Sequence, residues 1–146
     1  LVDTNIVLDV LLDRRPHSAD SAQIFSLVEN GRLQGCLCAT TITTIDYLLL
    51  QSLSRIEARK HLTQLTRLFD IAAVNRAVIE GAMQSRISDF EDAVLERAAA
   101  LAGAEAIITR NGKDFAQGAI AILDPGNAWC NSENECDRKR SAMDEI

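Results

Sequence analysis

Short apolar runs alternate along this chain with longer segments whose apolar residues recur every three to four positions. This alternation is typical of a parallel sheet whose strands are connected by helices. The expected strands lie at residues 1–3, 36–39, 71–74, 106–109 and 119–123. The expected helices lie at residues 6–12, 18–30, 43–53, 55–68, 76–84 and 89–102. The pattern predicts a three-layer α/β/α domain with a central parallel sheet of about five strands.

Residues at the ends of these helices support the assignment. Ser54 with Glu57, and Ser88 with Glu91, have the spacing of capping boxes, in which a hydroxyl and a carboxylate each satisfy a free backbone N–H group. Glycines at 31 and 103 follow two of the helices, where a left-handed residue commonly ends a helix.

Composition indicates one globular domain. The chain has 146 residues, of which 47% are hydrophobic, enough for a core without disulfides or metal. We expect a domain at residues 1–130 and a polar tail at residues 131–146. The four cysteines, at 36, 38, 130 and 136, lack a common zinc spacing, and we expect reduced thiols. The chain opens on Leu1 rather than Met, so at least an initiator residue is expected before it.

No apolar run approaches the roughly 20 residues of a membrane span, and no leader-like segment is visible, so a cytoplasmic protein without a membrane contact is expected. The formal net charge is −6, which argues against a diffuse basic surface for nucleic acid. The positions of the carboxylates therefore become the main question.

Two groups of polar residues follow predicted strands. Asp3 ends the first strand and is followed by Thr4 and Asn5, although a simple helix cap explains an Asp there equally. The fourth strand runs into Thr109, Arg110, Asn111, Lys113 and Asp114. Since ligands of open α/β sheets bind outside the carboxyl ends of strands, these side chains are candidates for one site, with Arg110 and Lys113 as phosphate contacts.

Three further acids lie on predicted helices. Asp46 lies among apolar residues, where a carboxylate requires a compensating cation or hydrogen bonds unless it occupies a narrow solvent-facing stripe. Asp89 and Asp92 lie three residues apart near a helix start, where acids also offset the helix dipole. Converging carboxylates without a nearby nucleophile favour Mg²⁺ or Mn²⁺, which bind hard oxygen ligands and lower the pKa of a bound water.

Three stretches carry a resemblance to a known family: DTNIVLDVLL, TTIDYLL and DFEDAVLERAAALAGAEAIITRNGKDF. They resemble the PIN domain, the fold of VapC-like toxin ribonucleases, and the last is similar to a bacterial subgroup with a T-R-N-x-x-D-F pattern. The resemblance covers residues 1–128. It implies a metal-dependent endoribonuclease, which forms homodimers and is silenced by an antitoxin.

The resemblance also assigns roles to residues of this chain. The first family acid corresponds to Asp3, the helix acid, usually Glu, to Asp46, and the third acid to Asp92, with Asp89 nearby. Many members have an acid where this chain has Asn111, so Asp114 is expected to supply that charge. The implied catalytic residues are Asp3, Asp46, Asp92 and Asp114. The implied Mg²⁺ or Mn²⁺ ligands are Asp3, Asp46, Asp89, Asp92 and Asp114, with Thr4, Asn5, Thr109 and Asn111 as auxiliary polar groups.

Two other functions remain open at this point. The Asn at position 111 favours a PIN-like RNA-binding or regulatory module with weak or no turnover. A haloacid-dehalogenase-like phosphatase also begins with an Asp at a strand end, but it requires a second Asp where this chain has Asn5.

Overall fold

The computed structural model describes residues 1–128, and in this part of the chain helices and short strands alternate. The helices are α1 Thr4–Leu11, α2 Ser18–Glu29, α3 Ala39–Leu49, α4 Arg55–Leu68, α5 Arg76–Met83 and α6 Phe90–Leu101. The strands are β1 Cys36–Cys38, β2 Asp70–Ala72, β3 Ala106–Ile108 and β4 Ala121–Leu123, and a 3₁₀ helix spans Gly112–Phe115. No helix within these 128 residues is long and apolar enough to cross a membrane.

The strands form two parallel pairs connected by Val2. β1 pairs with β2 and β3 with β4. Val2 forms a parallel bridge with Ile108, and its N–H donates to the Cys36 carbonyl over 2.9 Å. The resulting order is β2, β1, Val2, β3, β4. The predicted parallel sheet is confirmed, but the expected first strand is reduced to a single bridge because Asp3 already caps α1.

Alternate strand residues separate the core into two halves, as the twofold period of a strand requires. Leu37 and Ile108 face a cluster that contains the buried faces of α1, α2, α3 and α4. Cys38 and Ile107 face a second cluster built mainly from α5 and α6. Helices therefore cover both faces of the sheet, which gives the predicted three layers of a PIN-like α/β fold.

The helix ends agree with the sequence in part. Ser54 and Glu57 form a complete capping box, and the glycines at 31 and 103 have positive φ angles of 68° and 75°. The second predicted capping box is wrong. The N-cap of α6 is Asp89, whose side chain accepts from the Asp92 N–H over 3.1 Å.

Two helices also begin earlier than predicted. α1 starts at Thr4 because Asp3 accepts the first free N–H group. α3 starts at Ala39 rather than at residue 43, since the Thr43 and Thr44 hydroxyls donate back to the Thr40 carbonyl and follow the helix instead of interrupting it. The predicted tail at residues 131–146 and the two cysteines at 130 and 136 lie outside the described residues.

The capping difference predicts a difference in stability. Ser54→Ala removes a cap hydroxyl from α4, so we expect the free energy of unfolding to fall by about 1 kcal/mol in chemical denaturation. The matched control is Ser88→Ala. Ser88 directly precedes the observed cap of α6, Asp89, so its replacement should change the free energy of unfolding little. Equal losses in the two variants would contradict the assignment of the caps.

Candidate active site

Asp3 lies at the centre of the polar groups gathered at the carboxyl ends of the strands. Its carboxylate accepts the Thr4 N–H at 2.6 Å and the Thr109 hydroxyl at 2.7 Å, and the residue is only 8% exposed. Burial raises the pKa of Asp3, and these two hydrogen bonds partly oppose the rise. Asp3 therefore carries a buried negative charge at the start of α1.

Thr109 connects this charge to the end of β3. Its hydroxyl oxygen accepts the Asn111 N–H at 3.0 Å and the Asn5 Nδ2 at 3.5 Å, while its hydroxyl hydrogen is donated to Asp3. The Oδ1 atom of Asn5 is buried and has no hydrogen-bond partner among residues 1–128. Four expected auxiliary groups thus lie together, since Thr4 also contacts Asp3 and donates its hydroxyl to Thr41.

The negative charges of neighbouring carboxylates act on Asp3 and on Asp92. Burial raises the pKa of Asp92 to about 6, with further contributions from the charges of Asp3, Asp89, Asp114 and Glu91 in that order. The charges of Glu91 and Asp114 also raise the pKa of Asp3. The acids of the first turn of α6 and of the 3₁₀ helix therefore act electrostatically on the carboxylates of Asp3 and Asp92. Among these acids, Glu91 was assigned by sequence only to a capping box.

Asp46 lies elsewhere. Its Oδ1 is 3.5 Å from the Nε of Arg59 on α4, and its side chain is 21% exposed. The compensating cation that its burial requires is therefore an arginine of the neighbouring helix. Asp46 thus contacts α4, and its expected convergence with Asp3 and Asp92 stays a prediction.

Arg110 is also paired with an acid. Its Nε and Nη2 donate to the two carboxylate oxygens of Asp9 at 2.6 and 3.0 Å, and Asp9 is completely buried. A guanidinium held through two donors is engaged in a bidentate pair, so the phosphate contact expected of Arg110 stays a prediction that this pair does not favour. Lys113 is exposed on the 3₁₀ helix and remains a candidate for phosphate.

Asp9 is not among the predicted residues, although the sequence carries a signal for it. Asp9 lies in the apolar run IVLDVLL, three residues after the buried Ile6 and therefore on the same side of α1. A carboxylate in such a place requires a partner. The partner comes from 101 residues further along the chain, and Ser21 of α2 adds a hydrogen bond at 3.2 Å.

The donors present at this edge of the sheet fit a divalent cation by their chemistry. They are carboxylate, hydroxyl and amide oxygens, which Mg²⁺ and Mn²⁺ prefer, and a cation would relieve the repulsion that raises the pKa of Asp3 and Asp92. Within residues 1–128, no three His, Cys, Asp or Glu side chains are grouped closely enough to form a metal cage. Mg²⁺ keeps several waters and commonly binds one or two carboxylates, so it does not require such a cage.

A cavity of about 680 Å³ lies at the opposite ends of the strands. Its lining includes Gly35, Asp70 and Ala106, which precede or begin their strands, and none of the predicted site residues. The acidic site is an open edge of the sheet, distinct from this cavity.

Comparison with known proteins by sequence agrees with the family resemblance of the chain. The sequence profile of a family described as PIN domain matches residues 1–113. No protein with a curated description shows significant similarity to the chain.

Three solved structures share the fold. VapBC2 from Rickettsia felis, bound to a DNA fragment from the promoter, aligns with a TM-score of 0.65 at 14% identity, over 84% of this chain and 96% of that one. A toxin-antitoxin complex from Klebsiella pneumoniae gives 0.64 at 24% identity, over 85% and 95%. VapBC-1 from nontypeable Haemophilus influenzae gives 0.65 at 18% identity, over 85% and 96%.

The raised pKa of Asp92 predicts how stability depends on pH without metal. A raised carboxyl pKa means that protonation favours the fold. This contribution to stability is complete below the ordinary value of 3.8 and is lost as the pH rises through about 6. In EDTA, Asp92→Asn should therefore lose less melting temperature than the wild type between pH 5 and 7. The exposed Asp70→Asn is the control and should follow the wild type, whereas parallel curves for all three proteins would contradict the repulsion.

The buried pair of Asp9 and Arg110 predicts a large change in stability. Asp9→Asn leaves the guanidinium without its counter-charge, so the free energy of unfolding should fall by about 3 kcal/mol in urea. The double variant Asp9→Leu/Arg110→Met should recover much of that loss, because apolar residues can replace a buried pair. Asp13→Asn, which breaks an exposed pair with Arg15 at 3.6 Å, should change stability little. A loss in Asp9→Asn as small as in Asp13→Asn would contradict the importance of the buried pair.

Proposed function

This chain belongs to the PIN domain family, and we propose on that premise that it is a metal-dependent endoribonuclease and the toxin of a toxin–antitoxin pair. The observation that carries the proposal is the set of mutually repelling carboxylates around Asp3, at the ends of the strands where ligands of α/β sheets bind. We include in the proposal the subgroup with the T-R-N-x-x-D-F pattern, which this chain carries at residues 109–115.

Asp3 and Asp92 are the proposed principal ligands, with Asp89 and Asp114 as further carboxylates. Thr109 and the Thr4 N–H hold the Asp3 carboxylate in one orientation, so its oxygens need not reorganise when substrate arrives. Bound Mg²⁺ or Mn²⁺ supplies charge neutralisation at the phosphodiester and lowers the pKa of a water. Lys113, exposed beside Asp114, is the proposed contact with a phosphate of the RNA.

The acidic partners of two arginines support the proposed metal binding. Arg110 and Arg59 are engaged with Asp9 and Asp46, and neither neutralises Asp3. The carboxylates around Asp3 therefore keep the negative charge that a divalent cation requires.

An antitoxin is the proposed protein partner, and the protein is proposed to be cytoplasmic and homodimeric. The solved structures that share the fold include toxin-antitoxin complexes, which supports such a partner. α3 and the start of α4 also expose large apolar side chains, at Tyr47, Leu50 and Ile56, and Ile56 is 83% exposed. Such side chains are enriched where proteins contact each other.

A second candidate function is an RNA-binding module without turnover. The absence of an acid at Asn111 favours it, as does the lack of a preformed metal cage among the described residues. This module predicts retention of RNA without cleavage.

Cleavage of labelled RNA separates the two functions. We expect the full chain to cut a mixed RNA pool with Mg²⁺ or Mn²⁺ and not with EDTA. Asp3→Asn and Asp92→Asn should each reduce the rate by about a hundredfold or more, the order of magnitude that loss of one preorganised electrostatic group costs. Asp70 lies at the opposite ends of the strands, so Asp70→Asn should cut RNA at the wild-type rate.

Circular dichroism is the control that checks whether each variant is folded. Binding of RNA by an inactive wild type would instead support the module without turnover. Equal cleavage by wild type, Asp3→Asn and Asp92→Asn would exclude these carboxylates from the reaction.

A further inference from the structure

The side of α3 that faces the acidic site carries hydroxyl groups instead of an acid. Thr41 accepts the Thr4 hydroxyl at 3.3 Å. Thr44, three residues later on the same helix side, shares its hydroxyl hydrogen between the Thr40 carbonyl and Glu91 Oε1, each at 3.2 Å. These two contacts place this side of α3 against the starts of α1 and α6. Any acid that α3 contributed to the site would have to lie on this side.

Asp46 does not lie on it. Two residues beyond Thr44, Asp46 is turned by roughly 200° around the helix. Its carboxylate is paired with Arg59 on α4. Bringing that carboxylate to Asp3 would break the ion pair and require a rotation of α3 that its buried Ile45 and Leu49 oppose.

Glu91 is the acid that contacts this side of α3. It lies in the first turn of α6, directly before Asp92, and its side chain crosses to Thr44 of α3. The charge of Glu91 acts on both Asp3 and Asp92. Glu91 is exposed, so its carboxylate is accessible to a ligand from solution.

We propose that Glu91 supplies the metal-binding carboxylate that the family resemblance assigned to Asp46, and that the Thr44 hydroxyl orients it. The acid would then come from α6 instead of α3, across the hydrogen bond between the two helices. This inference rests on the proposed function, since it concerns the same Mg²⁺ or Mn²⁺ site.

A simpler role for Glu91 is to offset the dipole of α6. An acid in the first turn of a helix stabilises it by up to about 1 kcal/mol in an exposed position. This role affects stability alone. Metal affinity, measured separately from stability, therefore distinguishes the two roles.

The test measures Mn²⁺ binding to the full chain and its variants. The electron paramagnetic resonance signal of free Mn²⁺ reports how much metal is bound. Glu91→Gln should weaken Mn²⁺ binding by about tenfold or more, because one ligand charge is lost. Asp46→Asn should stay within about twofold of the wild type. The double variant Thr44→Glu/Glu91→Gln returns an acid to the site from α3 and should recover most of the affinity. RNA cleavage should follow the same order.

The possible outcomes separate the inference from the function on which it rests. Wild-type affinity in Glu91→Gln, or a loss in Asp46→Asn instead, overturns the inference and leaves the nuclease proposal standing. Failure of the double variant to bind Mn²⁺ better than Glu91→Gln also overturns it. A wild type that neither binds Mn²⁺ nor cuts RNA overturns both.

Discussion

The placement of a buried carboxylate at the junction of two chain segments constrains the rest of this structure. Asp3 follows the residue that connects the two strand pairs, caps α1 and accepts the hydroxyl of Thr109 from the end of β3. Hydrogen bonds compensate part of the cost of burying this charge, yet its pKa stays raised. The α6 turn and the 3₁₀ helix then add further negative charge to this position, although each addition disfavours the isolated fold. Such an arrangement is explained best by a ligand that carries positive charge.

Two ion pairs keep the site acidic by removing cations from it. Arg110 follows Thr109 directly and could have neutralised Asp3, but the buried Asp9 holds it through two donors. Arg59, which is largely exposed, makes a looser ion pair with Asp46, at 3.5 Å between its Nε and the Oδ1 of Asp46, on the side of α3 that faces α4. Asp9 and Asp46 thus act as counter-charges inside the scaffold, and the acids left over are those near Asp3. The net charge of −6 therefore says little about nucleic-acid binding by itself. What matters is which acids are paired with an arginine and which lie in the site.

Local features of the sequence were sufficient to predict most of this arrangement. The helices, the parallel strand pairs and the positions of Asp3, Asp89, Asp92 and Asp114 at element ends follow from periodicity and from acids beside apolar runs. Asp46 could not be placed, because α3 combines threonines and aliphatic residues on several sides, and its orientation depends on which helices pack against it. Arg110 looked free because its partner, Asp9, lies 101 residues away in sequence. Ser88 matched the spacing of a capping box, but the adjacent Asp89, an equally good capping residue, is the N-cap of α6.

The same repulsion links the stability of the fold to the affinity of the site. A group of acids that disfavours the isolated fold gains that free energy back when a cation binds, so part of the binding energy is stored in the folded chain. Protons relieve the same repulsion, and they would compete with the proposed metal for Asp92 near its raised pKa of about 6. An arginine in the site would have stabilised the fold permanently and removed both effects. The burial of Arg110 against Asp9 therefore keeps the charge of Asp3 and Asp92 available for a ligand that comes from solution.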